Sequence, residues 1–350
     1  MIETDASMAR NATASGLSPL RPAPLKVLFA IPEGDGSAHS MIFARRQAEA
    51  LRRRGVEVVE FYLKSRTSMR ALVQEWKRFD AELSGFAPDV IHAQFGTVTA
   101  AFAALGARGR PLLITYRGSD LNPSPGGSLW RGICARMLSQ IAALRATRMV
   151  CVSQELRDRL WWRRPRVTVL PTGVPLREFH ARPRDLARRK LGWPEGAPVV
   201  LFNAGRDPRV KRLDLALAAV GIALRSLPEM RFEVLAGSAP PGSIPALMNA
   251  ADCLLVTSDF EGSPAVVQEA LASNLPIVSV DVGDVRERIE RVSNTRLVSR
   301  DPESIARALV EMVARPLRTD GSRKVPELGM DVVAERVHRL YFECLRERGH

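Results

Sequence analysis

Short apolar runs, each followed by a stretch of helical spacing, recur along this chain and then begin again near its middle. Runs that are apolar throughout, rather than alternating with polar residues, belong to strands covered on both faces. Their regular exchange with helices points to parallel sheets of βαβ build. The first series opens with Leu25–Pro32 and runs into the loop Glu33–Ser37, which carries Gly34 and Gly36. It continues after a helix through Val56–Phe61, Asp89–Gln94, Pro111–Tyr116 and Thr147–Val152. The second restarts at Ala197–Gly205, with a helix near Asp214–Leu227, strand Arg231–Ala236, strand Ala251–Thr257, helix Pro264–Ser273, strand Pro276–Val280 and a helix near Pro302–Ala314. The fold class is therefore α/β, with two Rossmann-like, doubly wound domains. Ligands bind outside the carboxyl ends of such sheets, so two facing domains would share one cleft.

The divisions expected are a disordered leader over 1–24, an N-terminal domain over 25–172, a C-terminal domain over 173–328 and a final helix over 329–350. Pro171–Pro194, rich in proline, glycine and charge, reads as the linker. Val332, Val333, Val337, Leu340, Tyr341 and Leu345 approximate one apolar stripe on the last helix. The 350 residues suffice for about two domains. With 46% hydrophobic and 25% charged residues, the composition is that of a globular chain. No apolar run is long enough to span a membrane, and Met1–Pro24 lacks the apolar core of a signal peptide. Cys134, Cys151, Cys253 and Cys344 are scattered, without metal-ligand spacing, which fits reduced thiols in a cytosolic protein.

The formal net charge is +13, yet Lys26, Lys64, Lys77, Lys190, Lys211 and Lys324 are the only lysines among 51 basic residues. Arginine-rich coding explains part of that excess. Phe43–Gly55 nevertheless reads as a basic helix ending at a glycine, and Trp161-Trp162-Arg163-Arg164 sets aromatic rings beside charge. Such features suit an anionic membrane surface, nucleic acid or a polyphosphate substrate, and composition does not choose among them.

Chemistry concentrates after two strands of the second series. Ser258–Ala270 places Glu261 in a loop and Glu269 eight positions later on a helix. Ser263 suits the N-cap and Pro264 the first helical position. The loop would then aim backbone N–H groups and a partial positive charge at a ligand above it. Taken alone, the pair reads better as an ordinary strand–loop–helix unit with two solvated glutamates. Gly205–Asp214 lies in the corresponding place after another strand, where Arg206, Arg209, Lys211 and Arg212 crowd a turn able to reach a diphosphate. Arg212 reads best as a solvated cation. Lys211, being one of few lysines, is harder to assign to coding bias.

With these segments in hand, the chain resembles the family-4 glycosyltransferases of GT-B fold over nearly all its length beyond the leader. The likeness rests on Gly205-Arg206 with Lys211, on Glu261-Gly262-Ser263-Pro264 with Glu269, on Pro171-Thr172-Gly173-Val174 and on Asn249-Ala250-Ala251-Asp252. Ala272–Pro276 and Asp281–Val285 add a likeness to the exopolysaccharide and teichuronic-acid-type bacterial branch. The resemblance implies a retaining hexosyltransferase that needs no metal and no cofactor, acting on a nucleotide-sugar donor. Arg206 and Lys211 would neutralise the diphosphate leaving group, with Arg209 competing with Arg206 for it. Glu269 would hold the ribose and Glu261 the donor sugar. Gly262, Ser263, Ala265 and Val266 would complete the donor site through their backbone. The implied acceptor is a saccharide or lipid-linked saccharide in cell-surface polysaccharide biosynthesis. The implied location is the cytoplasm, with a peripheral place at the inner face of the plasma membrane suited to the basic N-terminal half.

The chain also departs from the family pattern. Arg117 stands where many relatives have a histidine, in Tyr116-Arg117-Gly118-Ser119-Asp120, and with Asp120 it is expected in the cleft. Arginine cannot act as a base but can bind phosphate or an anionic acceptor. His92 reads equally as a core-facing strand histidine or as an acceptor contact, and Gly34 and Gly36 would border the same side. Gly237–Met248 is shorter than the segment relatives use beside the nucleotide base. Two other readings stand beside the transferase. One is another GT-B enzyme, such as a sugar-nucleotide epimerase. The other is a non-catalytic module binding saccharide or nucleic acid through its positive surface; the intact Glu261, Glu269 and Lys211 speak against it and Arg117 speaks for it, with nucleic acid the less expected partner.

Overall fold

The structure, a computed structural model, describes residues 23–34, 40–65, 68–122, 129–205, 207–237 and 239–349. Nearly all of the leader expected over 1–24, together with Gly36 and Arg206, lies outside them. The N-terminal series comprises β1 (Lys26–Pro32), α1 (Ile42–Arg52), β2 (Glu57–Leu63), α2 (Met69–Phe86), β3 (Val90–Ala93), α3 (Thr97–Gly106), β4 (Leu112–Tyr116), α4 (Leu129–Arg145), β5 (Arg148–Cys151), α5 (Gln154–Asp158) and β6 (Val167–Val169). A second series follows: α6 (Arg184–Leu191), β7 (Val199–Asn203), α7 (Leu213–Ala223), β8 (Arg231–Leu235), α8 (Ile244–Ala250), β9 (Cys253–Val256), α9 (Ala265–Ala272), β10 (Ile277–Val280), α10 (Val285–Ile289), β11 (Thr295–Val298) and α11 (Pro302–Ala314), closed by α12 (Met330–Glu347).

The strands form two parallel sheets, ordered β2-β1-β3-β4-β5-β6 and β11-β10-β9-β7-β8. Val27 faces Val58 on one side and Val90 on the other, and Val200 likewise lies between Phe232 and Cys253. Strand order therefore reverses between β1 and β3 in one sheet and between β7 and β9 in the other. Those reversals open the crevices where ligands of such sheets bind.

Alternation along β1 sends Leu28 and Ala30 to a core shared with α2, α3 and α4, and Val27, Phe29 and Ile31 to a core shared with α1 and α12. The final helix thus returns from the second domain to cover the first. Val333, Val337, Leu340 and Tyr341 of its expected stripe are buried, whereas Val332 is 37% exposed. The chain passes between the sheets twice, and the two passages run side by side. Val174 N–H donates to Leu328 O at 2.9 Å, and Met330 N–H donates to Val174 O at 2.7 Å. A Cβ on Gly173 would lie 2.8 Å from the Met330 Cα, so only glycine allows this approach.

The stretch read as a linker contains a helix. In α6, Arg188 is fully buried, donating to Ala250 O, Pro194 O and Ala197 O and, through Nη2, to Asp252 at 2.6 Å. Asp252 also accepts from Arg184 at 2.6 Å and from the Val199 N–H at 2.7 Å. A charge pattern that looks solvated in sequence here clamps α6 to the start of the second sheet. The short segment before Asn249 is likewise not bare loop, since α8 occupies Ile244–Ala250.

Candidate active site

At the carboxyl end of β9, Thr257 Oγ1 donates to Lys211 O at 2.8 Å and to Arg212 O at 3.1 Å. Asp259 N–H donates to Val210 O at 2.9 Å. These bonds tie the loop after β9 to the loop after β7, across the strand-order reversal. They set Lys211 Nζ 2.5 Å from Glu261 Oε1, which also accepts from Ser258 Oγ at 2.8 Å. The lysine side chain is 23% exposed and the glutamate 13%, so the pair is partly screened from water yet open to the cleft. Arg212 engages Asp214 and Asp259, in keeping with its reading as a surface cation, and Arg209 is exposed.

The helix after this loop starts one residue later than expected. Pro264, with φ −67° and ψ 113°, takes the N-cap position, and Ala265 is the first helical residue. Ser263 is not the cap. Its hydroxyl donates to Asp284 Oδ2 at 2.7 Å and accepts from Gln268 at 2.7 Å, fastening the loop to α10. The first orphan donors of the helix are accordingly those of Ala265 and Val266.

Glu269, one turn on, faces a cavity of about 200 Å³ lined by Asn203, Leu235, Ile244, Met248, Ala265 and Val266 from the second domain. Ile42 and Arg46 of α1 close it from the first domain. Burial raises the Glu269 carboxyl to about 7, opposed by Arg46, whose Nη1 lies 3.8 Å away, and helped by Glu178. Arg46 Nη2 pairs with Glu178 at 2.9 Å, and its guanidinium lies 5.7 Å from the Phe179 ring centroid. In sequence Arg46 is one cation in a basic helix. Its place one turn after Ile42, on the helix that follows the first strand's loop, was the available signal. A larger cavity of about 390 Å³ lies behind the crossings, among Arg46, Arg53, Leu176 and Met330, away from Lys211.

Across the cleft, the loop after β4 touches the loop after β9. Asn122 Nδ2 donates to Glu261 O at 3.1 Å, and a Cβ on Gly262 would stand 2.3 Å from Arg117 O. The Arg117 backbone therefore borders the site, but its guanidinium turns inward. It donates to Gln94 O at 3.1 Å, Gln94 Oε1 at 2.6 Å and Thr172 Oγ1 at 3.3 Å, and stacks 3.8 Å from the Phe43 ring centroid. Burial brings its pKa down to about 9. The expectation of a phosphate- or acceptor-facing Arg117 side chain is corrected by these contacts.

Asp120 is fully buried and accepts from the backbone N–H groups of Gly96, Arg117 and Gly118 at 3.0, 3.0 and 2.8 Å. It shapes the loop rather than facing the cleft. Of the two readings of His92, the core one is found. Its ring is fully buried, with Tyr341 Oη and Thr115 Oγ1 each 2.8 Å from a ring nitrogen, and burial holds its pKa well below the usual value. Gly34 packs against Ser40, with no room for a Cβ. Among the described residues, no group of three His, Cys, Asp or Glu side chains is placed to hold a metal ion.

Two facing parallel sheets, with a cation–carboxylate pair and a half-buried carboxylate at the reversal of the second, have the GT-B glycosyltransferase architecture. Residues 37–178 match the family described as Glycosyltransferase Family 4, and residues 204–315 match Glycosyl transferases group 1. Each half of the chain thus matches a glycosyltransferase family model.

Among curated proteins, it is 29% identical over 224 residues to D-inositol 3-phosphate glycosyltransferase of Thermobispora bispora, spanning 53% of this chain and 52% of that protein. It is 25% identical over 245 residues to a Bacillus subtilis glycosyltransferase named for teichuronic acid biosynthesis, TuaC, spanning 63% of this chain and 60% of that one. The matched region thus spans between about half and three fifths of these relatives. Among solved structures, sucrose-phosphate synthase from Thermosynechococcus elongatus superposes with a TM-score of 0.74 at 17% identity, covering 92% of this chain and 99% of that one. Anabaena HepE in complex with UDP and glucose gives 0.70 at 16% identity, covering 90% and 99%.

Proposed function

We propose that this chain is a retaining, metal-independent hexosyltransferase that moves a sugar from a nucleotide diphosphate to a saccharide or lipid-linked saccharide acceptor in cell-surface polysaccharide biosynthesis. The observation that carries the reading is the joining of Lys211 to Glu261 beside the helix start and cavity that hold Glu269. An incoming diphosphate would take over Lys211 and the N–H groups of Ala265 and Val266, as anions do at helix starts. Glu261, released from the lysine, would accept from a hydroxyl of the donor sugar. Glu269 would accept from the ribose, with the base in the apolar cavity formed by Leu235, Ile244 and Met248.

In the reaction, the bond from the anomeric carbon to the diphosphate oxygen breaks, and the acceptor oxygen bonds to that carbon from the same face. The acceptor proton passes to the departing phosphate oxygen. Such a step depends on stabilising charge on the leaving group more than on a protein base. His92, buried in the sheet, is not placed to serve as one.

UDP-sugars are the first donors to try, since HepE, which shares the fold, was solved with UDP-glucose. UDP-GlcNAc 2-epimerase of Methanocaldococcus jannaschii shares it too, at a TM-score of 0.60, so product analysis must include the epimer. The deciding experiment is a thermal-shift panel of UDP-, GDP-, ADP- and dTDP-sugars on the wild type, Lys211→Ala and Glu269→Ala. Stabilisation of the wild type by one nucleotide, lost in the variants, supports the reading. If no nucleotide stabilises the wild type, the reading fails.

A membrane-peripheral location belongs to the same proposal. The basic helix first credited with it is occupied elsewhere. Arg46, Arg52, Arg53 and Arg54 of the α1 region pair with Glu178, Glu60, Asp331 and Glu335. No helix among the described residues is long and apolar enough to cross a membrane.

A further inference from the structure

Helix α4 is built inside out. It lies against α3 and hides the small or polar residues Ser139, Gln140, Ala142 and Ala143. Its large apolar residues face outward. Trp130 is 74% exposed, Met137 40%, Ile141 49% and Leu144 48%. Positions 130, 137, 141 and 144 fall on one stripe, because steps of three, four and seven residues return to the same side of a helix.

A neighbouring segment widens the stripe. Gln140 accepts from Trp162 Nε1 at 2.7 Å through its backbone oxygen and from the Trp161 N–H at 3.1 Å through its side chain. Those bonds fix Trp161, 57% exposed, beside the carboxyl-terminal half of α4. Arg163 is tied to the same end by donating to Leu144 O and Ala146 O. Other helices expose one or two large apolar residues, such as Leu105 on α3 and Leu217 on α7, whereas α4 exposes four on one stripe.

The charge on the helix selects the occupant. Arg131, Arg136 and Arg145 lie on α4, which contains no acidic residue, and none of the three pairs with a carboxylate among the described residues. A second copy of the chain meeting this face about a twofold axis would bring one wholly basic helix up to another, like charge to like. An anionic lipid headgroup layer meets arginines with phosphates and accepts indole and aliphatic groups below them.

We propose that the α4 stripe with Trp161 is the surface by which this protein seats on an anionic phospholipid bilayer. The proposal deepens the reading of a lipid-linked acceptor and rests on it for its purpose. The loop that leads into α4 from β4 carries Asn122, which reaches Glu261. Asn122 and α4 both belong to the first domain, the one that faces Glu261.

Flotation with vesicles of phosphatidylcholine alone, and of equal parts phosphatidylcholine and phosphatidylglycerol, tests it on the full chain. The wild type should float with the anionic vesicles only. Arg131→Gln/Arg136→Gln/Arg145→Gln should weaken partitioning roughly 100-fold, and Met137→Glu/Ile141→Glu should abolish it. Brominated lipid should quench tryptophan fluorescence in the wild type, and less so after Trp130→Phe/Trp161→Phe. Thermal shift by UDP should be the same in all variants, which separates a failure of docking from a failure of the transferase reading. Absence of flotation at low salt overturns the proposal, as does a glutamate variant that floats like the wild type. A dimer in light scattering that Met137→Glu/Ile141→Glu dissolves also overturns it, because a second copy would then cover the face.

Discussion

Glu269 has a carboxyl raised to about 7 by burial, against 4.5 for the ordinary group, and this makes the donor site sensitive to pH. The folded state favours the protonated form. The stability that proton contributes is fully present below 4.5 and is lost as pH rises through about 7. Ribose hydroxyls, however, are best accepted by the ionised form. UDP affinity, measured calorimetrically on both sides of neutrality, should therefore rise through about pH 7 and then level. Arg46→Gln removes the cation that lowers this pKa and should move the midpoint upward. An unmoved midpoint would mean that Arg46 does not act on Glu269. Lys211→Ala should lower kcat/KM by about 10²- to 10³-fold, or roughly 3–4 kcal/mol, if the lysine stabilises the leaving diphosphate. Gly262 invites a different test, since its missing side chain is what lets the Arg117 carbonyl approach. If the second domain holds the nucleotide as proposed, Gly262→Ala should retain UDP binding while losing transfer.

At the scale of elements, the strands were legible because each is an uninterrupted apolar run, and β1, β9 and β10 are buried along nearly their whole length. What misled was charge. Arg184–Leu191 carries Arg188, Arg189 and Lys190 and sits among prolines, so it reads as linker; the buried Asp252 and the carbonyls of Ala250, Pro194 and Ala197 are what accommodate Arg188 there. Removing one partner of a buried pair leaves the other charge stranded, so Arg188→Ala should cost about 3–5 kcal/mol, seen as a lower melting temperature. The glutamate loop was legible in its spacing, but its cap was not. A serine before a proline satisfies the usual rules for an N-cap, and nothing local reveals that Asp284 will claim the hydroxyl. His92 stayed open between core and cleft, and Asp120 was placed in the cleft, for a related reason. Residues at strand ends face either the cleft or the core, and their partners Tyr341, Thr115 and the Gly96 N–H come from other elements.

For the whole molecule, the return of α12 makes the carboxyl-terminal residues part of the amino-terminal domain. Leu340→Ala, a cavity in the core shared with β1, should cost about 2–5 kcal/mol. It should destabilise the first domain while UDP still protects the second, a split that limited proteolysis would reveal. The paired crossings have a mechanical consequence as well. One flexible connector would let two domains swivel and twist about it freely. Two connectors lying flat together and hydrogen-bonded at Val174 work like the knuckles of a door hinge, resisting twist and permitting swing. A swing that opened the cleft would be led back along one arc. Asn122 and Arg117 would return to the same place above Glu261 and Gly262, without having to search for it.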